Sequence, residues 1–123
     1  MKTPKPVLDR RRSIRIVEKL PFKIGHQNYE AEAVTVNISV NGALCIVEQD
    51  IPLMTQLKMA LTLPPISKTS SKKKTVLMKG VVVRKDKDPS TQKYFVAIYF
   101  SEIKPEDRQF LQKFIESRSA SAA

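Results

Sequence analysis

From Leu20 onward the chain divides into six short runs rich in β-branched and aromatic residues, and this pattern constrains the fold more than any other feature. The runs are Leu20 to Ile24, Glu30 to Ile38, Gly42 to Val47, Gln56 to Leu63, Thr75 to Arg84 and Tyr94 to Phe100. Within the second, Val34, Val36 and Ile38 alternate with Thr35 and Asn37, which predicts a strand that buries the three aliphatic residues and turns Asn37 outward. Turn-forming residues separate the runs at Gly25-His26-Gln27-Asn28, at Asn41-Gly42 and at Asp86-Lys87-Asp88-Pro89-Ser90. Six such strands in roughly eighty residues imply an all-antiparallel meander or barrel.

After Phe100 the apolar period changes from two to about 3.6. Pro105 suits a first helical turn, Glu106 and Asp107 favour its positive dipole end, and Phe110, Leu111, Phe114 and Ile115 fall on one face. The spacing therefore predicts a C-terminal helix that caps the sheet or contacts a partner. Residues 118–123, small and polar after Arg118, read as a disordered tail, and residues 1–8, with two prolines and two lysines, as a flexible lead-in. Pro64 to Lys74 is too polar and basic to pack and reads as a mobile surface loop. The chain of 123 residues, 41% hydrophobic, suffices for a single domain with one modest core, placed at 9–117.

Lys and Arg number 22 against 12 Asp and Glu, a net charge of +10. The excess is concentrated toward the N-terminus and in Lys68, Lys72, Lys73 and Lys74, so an anionic partner is expected to meet the front of the chain. Charge alone does not separate a nucleotide, a nucleic acid, an acidic protein and a membrane surface. No stretch approaches the roughly 20 apolar residues that cross a bilayer, and Met1 to Pro6 lead into arginines rather than an apolar signal core. A soluble, cytoplasmic protein is expected.

Enzyme chemistry lacks its parts. The single histidine, His26, lies in a turn and reads as a surface residue, while the single cysteine, Cys45, lies in an apolar strand and reads as an inert thiol. Neither a Cys/His metal cluster nor a Cys/His nucleophile pair can be assembled. Asp86 and Asp88 sit among lysines and a proline as a charged hairpin turn. Three glycines, Gly25, Gly42 and Gly80, cannot build a glycine-rich phosphate loop. No enzyme, no cofactor and no metal is expected.

Two short segments carry the functional signal. Arg10-Arg11-Arg12-Ser13-Ile14-Arg15 supplies planar guanidinium groups, which bind phosphate bidentately, grip the O6 and N7 edge of guanine and stack on bases. Asn37-Ile38-Ser39-Val40-Asn41-Gly42 supplies polar groups and a turn; Asn37 and Ser39, two apart, share a face of an extended segment, and Gly42 permits a positive φ or a close backbone approach. Separately, a solvated basic lead-in and an ordinary Asn-Gly turn explain them.

Together they form RRxxxR at Arg10, Arg11 and Arg15 and NxSxxG at Asn37, Ser39 and Gly42, within a six-strand pattern closed by a helix. This combination resembles the PilZ domain family, bacterial receptors for the second messenger cyclic di-GMP, over about Asp9 to Ile115. The resemblance implies a split-barrel type of six-stranded antiparallel β-barrel with a C-terminal helix, and cyclic di-GMP as ligand. It implies that Arg11 and Arg15 lie close to guanine and phosphate, that Arg10 lies near the second base, and that Asn37 and Ser39 hydrogen-bond a guanine edge while Gly42 clears the following turn. Arg12 is a possible accessory contact outside the motif. Ala97 stands where the family often has glycine.

A receptor of this kind is expected to change the conformation of its arginine segment on binding and to signal to a protein partner, in motility, biofilm, polysaccharide or virulence control. The process, the partner and a stoichiometry of one or two ligands are left open. The alternative is a small basic β-barrel that binds single-stranded nucleic acid. Such barrels display aromatic stacking platforms, whereas Phe95, Tyr99, Phe100, Phe110 and Phe114 fall in apolar patterns that suggest core.

Overall fold

A computed structural model describes residues 14–26, 29–65 and 73–122. The lead-in, Arg10 to Arg12 and most of the basic loop between Leu63 and Thr75 lie outside these residues, as does the side chain of His26. Six strands, β1 (Pro21–His26), β2 (Tyr29–Ile38), β3 (Gly42–Val47), β4 (Gln56–Leu63), β5 (Lys74–Lys87) and β6 (Tyr94–Ile103), precede one helix, α1 (Pro105–Ala122). They form a closed antiparallel barrel in the order β1-β2-β3-β6-β5-β4, with β4 pairing back onto β1.

Apart from Thr35 on β2, the inward positions are apolar, among them Phe22, Ile24, Cys45, Leu61, Val76, Val96 and Ile98. Closure places the starts of β1, β3 and β5 and the ends of β2, β4 and β6 at one end of the barrel. Helix α1 covers that end, burying Leu111, Phe114 and Ile115 and half-burying Phe110, the face expected from the spacing. Polar contacts tie it there. Lys74 at the start of β5 lies 3.6 Å from Asp107 and over the Phe110 ring. Arg108 donates to Asn41 Oδ1 at 3.0 Å and to the Val40 carbonyl at 3.4 Å in the β2–β3 turn.

Three expectations are corrected. In β2 the buried set is Ala31, Ala33, Thr35 and Ile38, while Val34 is 43% exposed. A register shift between Thr35 and Asn37 inserts one extra residue against β3, so two phases of alternation meet within one strand. The helix runs through Ala122 rather than giving way to a disordered tail at 118. Arg118 accounts for part of this extension: it pairs with Glu18 at 3.2 Å and lies 4.7 Å from the Phe114 ring. Finally, Tyr99 is 54% exposed on the outside of β6, whereas Phe100 and Phe114 are core.

Candidate functional site

The segment before β1 is fastened to β2 by two devices. Ile16 and Ile38 form an isolated antiparallel bridge, each N–H donating to the other's carbonyl at 3.0 Å, and both side chains are buried. Two residues on, the fully buried Thr35 hydroxyl donates to the Glu18 carbonyl at 2.5 Å and accepts from the Leu20 N–H at 2.9 Å. A buried threonine that satisfies both a donor and an acceptor of a neighbouring segment holds it more firmly than apolar contact alone.

This fastening positions Arg15. One residue before the bridge, its Nη1 donates to Asn37 Oδ1 at 2.6 Å, across 22 positions of sequence. The two motifs are therefore joined at an exposed surface: the last arginine of the first touches the first residue of the second. Asn37 is partly exposed, as its outward placement requires, and its cross-strand neighbour on β3 is Leu44. Leu44 pairs in turn with Ala97 on β6, and Ala97 with Arg84 on β5. A row Asn37, Leu44, Ala97, Arg84 thus crosses the outside of four strands. Leu44 and Ala97 are partly exposed apolar residues between polar ends. Ala97, outside both motifs, lies on the same face as Asn37, where its methyl group occupies space that glycine would leave open.

Ser39 and Gly42 are placed differently from Asn37. Ser39 is 1% exposed. Its N–H donates to the Gly42 carbonyl at 2.8 Å, its hydroxyl donates to the same carbonyl at 3.3 Å, and that hydroxyl accepts from the Asn41 N–H at 3.2 Å. The side chain is turned into the β2–β3 connection rather than toward the barrel surface. Gly42 is required for the second of the two reasons given above: its φ is not positive, but a Cβ there would stand 2.5 Å from the Ile98 carbonyl oxygen. The turn is packed so closely against β6 that no side chain fits. Arg10, Arg11 and Arg12 lie outside the described residues.

Residues that the motifs did not reveal hold this arrangement. Arg108 grips the β2–β3 turn and Arg118 grips the Glu18 segment, so one helix contacts both halves of the site. No local spacing announces such contacts, because the partners lie 67 or more positions away in sequence. Cys45, on β3 near the site, is fully buried, and burial pushes its thiol up to about 12. At the far hairpin, Asp88 accepts from the Ser90 N–H, the Ser90 hydroxyl and the Thr91 hydroxyl, which together hold its carboxyl below the usual value. Among the described residues no group of three or more His, Cys, Asp or Glu could hold a metal, and no helix is long and apolar enough to cross a membrane.

Comparison with solved structures gives the same architecture. The chain superposes on Bacillus subtilis MotI/DgrA, an inhibitor of motility, with a TM-score of 0.78 and 22% identity, covering 89% of this chain and 51% of that one. It therefore spans about half the length of that protein. It superposes on a structure described as the PilZ domain with c-di-GMP of YcgR from Escherichia coli with a TM-score of 0.64 and 15% identity, covering 92% of this chain and 94% of that one. At these identities the likeness is one of fold. No curated protein matches by sequence. The family model of the PilZ domain matches residues 9–117, nearly the whole chain, and the protein belongs to the PilZ domain family.

Proposed function

We propose that this protein is a cyclic di-GMP receptor whose N-terminal arginines close over the ligand and which signals to a protein partner. The observation that carries the proposal is the Arg15–Asn37 contact, which joins the two motifs on one exposed face. Family membership supports it, since PilZ domains are ligand-binding receptor domains rather than enzymes. The related YcgR domain, described with c-di-GMP, supports the choice of ligand.

Cyclic di-GMP presents two phosphates and two guanines. Arg10, Arg11 and Arg15 serve phosphate oxygens, guanine edges and base faces, with Arg12 as an accessory phosphate contact. Asn37 offers its amide to a guanine edge once Arg15 turns from it to the ligand. Ser39 and Gly42 act by shaping: the Ser39 hydroxyl fixes the turn and Gly42 lets that turn lie against β6. Four arginines within six residues repel one another until an anion neutralises them. Each charge-assisted hydrogen bond contributes roughly 1.5–3 kcal/mol. A few of them offset the ordering of about six residues at roughly 1–2 kcal/mol each.

The hinge of this closure is the Ile16–Ile38 bridge, because Ile16 is core and the residues before it are not held by that bridge. Beyond the hinge, helix α1 holds the fixed side of the site through Arg118 on Glu18 and Arg108 on the β2–β3 turn. Titration calorimetry with cyclic di-GMP is the test, and its molar ratio reports one or two ligands. Binding is expected in the parent and lost in Arg11→Ala and Asn37→Ala; a parent that binds an oligonucleotide with a steep salt slope instead supports the nucleic-acid reading. Amide exchange over residues 5–16 unchanged by saturating ligand would refute the closure.

A further inference from the structure

On the opposite side of the barrel from Asn37, the outer face of β4 and β5 carries a feature that ligand binding does not use. Six strands in the order β1-β2-β3-β6-β5-β4 place β5 directly across from β2. On this outer face Lys58 and Lys79 are direct cross-strand partners, both exposed. Like charges in that position are destabilising. Lys23, partnered with Ala60 in the next row, stands diagonal to Lys58. Lys79 lies 3.8 Å from Glu102, a solvent-exposed pair worth little. Lys23 faces Glu32 across β1 and β2. Among the described residues Lys23 and Lys58 form no ion pair.

Apolar side chains flank these lysines. Leu77, in the row of Lys23 and Ala60, is 60% exposed, and Val81 lies beyond Lys79 with the exposed Tyr99 opposite. The face is concave, with a volume of about 840 Å³. Val83 is also exposed, and beside it the 52–55 turn is stitched to β5 by Met54 N–H to Val82 O at 2.7 Å. That turn holds Met54 at a φ of 68° and leaves both Leu53 and Met54 in solvent. A left-handed methionine is disfavoured by about 1–2 kcal/mol.

We propose that this face docks an acidic amphipathic segment of a partner protein, its apolar side chains seated on Leu77 and Val81 and its carboxylates paired with Lys58, Lys79 and Lys23. The lysine pair gains from a carboxylate placed between its members, and the net charge of +10 speeds encounter with an acidic surface. Glu30 and Glu102 at the rim of the same concavity disfavour a continuous polyanion such as nucleic acid, whereas a protein segment can meet them with a basic residue. The face lies across the barrel from Asn37, so partner and ligand can be held together. The proposal rests on the reading that the protein signals through a partner, but not on the identity of the ligand.

The test uses the full chain, labelled with ¹⁵N, and three probes: an 18-residue amphipathic peptide of Leu and Glu, its Leu and Lys counterpart, and a (dT)20 oligonucleotide. The acidic peptide is expected to shift the amides of Leu77, Lys79 and Val81, to bind at least tenfold more weakly to Lys58→Glu/Lys79→Glu, and to leave cyclic di-GMP affinity within twofold. The single Lys58→Glu change is expected to raise the melting temperature, by removing the like-charge pair, while weakening the peptide; loss of fold therefore cannot mimic the result. No shift on β5 with the acidic peptide, equal affinity for the basic one, or tighter binding of the oligonucleotide at the same residues overturns the proposal. A parent chain that takes the peptide but not cyclic di-GMP overturns the ligand assignment instead.

Discussion

Arg118 and Glu18 meet at 3.2 Å, one on the last turns of helix α1 and the other on the segment that carries Arg15, one hundred positions apart in sequence. Both side chains are less than a third exposed, and the guanidinium also lies over Phe114. The pair is expected to contribute about 0.5–1 kcal/mol in a double-mutant cycle of Arg118→Ala and Glu18→Ala, read by urea unfolding. Arg118→Ala is further expected to speed amide exchange over residues 16–20, one to five residues past Arg15. A coupling of zero would show that the helix and the arm are independent.

Thr35→Val keeps the shape of a buried side chain and removes its hydroxyl, leaving the Glu18 carbonyl and the Leu20 N–H without their partner. Stability is expected to fall by about 1–3 kcal/mol. Thr35→Ser keeps the hydroxyl and is expected to recover most of that loss. Equal effects of the two changes would assign the role of Thr35 to packing instead.

Gly42→Ala sets a methyl group 2.5 Å from a backbone oxygen, which cannot move aside as a flexible side chain would. The β2–β3 turn must shift away from β6, at about 1–3 kcal/mol. Because Asn37 pairs with the same β3 strand, the shift also reaches the proposed binding face. Thermal unfolding measures the first effect and calorimetry with cyclic di-GMP the second.

The Cys45 thiol, pushed up to about 12 by burial, is expected to resist alkylation at pH 8 in the folded protein and to react fully in denaturant. The folded value lies above the unfolded one. Its contribution to stability is thus complete below the ordinary thiol pKa of about 8.5 and is lost as pH rises toward about 12. Rapid alkylation under native conditions would place the thiol at the surface.

The strands were legible because their ends carry strong local marks. Gly42–Val47 and Gln56–Leu63 were bounded correctly from the runs alone. The phase of β2 was not, because alternation assumes one register and a bulge at Val36 supplies two. Thr35 looked outward as a polar residue, yet it is buried with its hydroxyl shared between two backbone groups, a pairing set by a segment fifteen or more positions away. Motif spacing singled out Arg15 and Asn37, and the structure brings their side chains into contact. The inward turn of Ser39 was not, since i to i+2 spacing describes an extended strand and Ser39 stands where the strand ends. The course of the helix past Ser117 was hidden for a related reason: Arg118 finds its partner at the other end of the chain.

Closure of the barrel has a consequence for how this molecule can be recognised. Every strand has a hydrogen-bonded neighbour on each side, including β4 on β1. Among the described residues little backbone edge is left, chiefly the end of β5 past Val81, so adding a seventh strand is disfavoured and recognition is written mainly in side chains. Such a surface diverges by single substitutions without disturbing the barrel beneath it. The same scaffold can therefore acquire new associates quickly while its interior stays fixed.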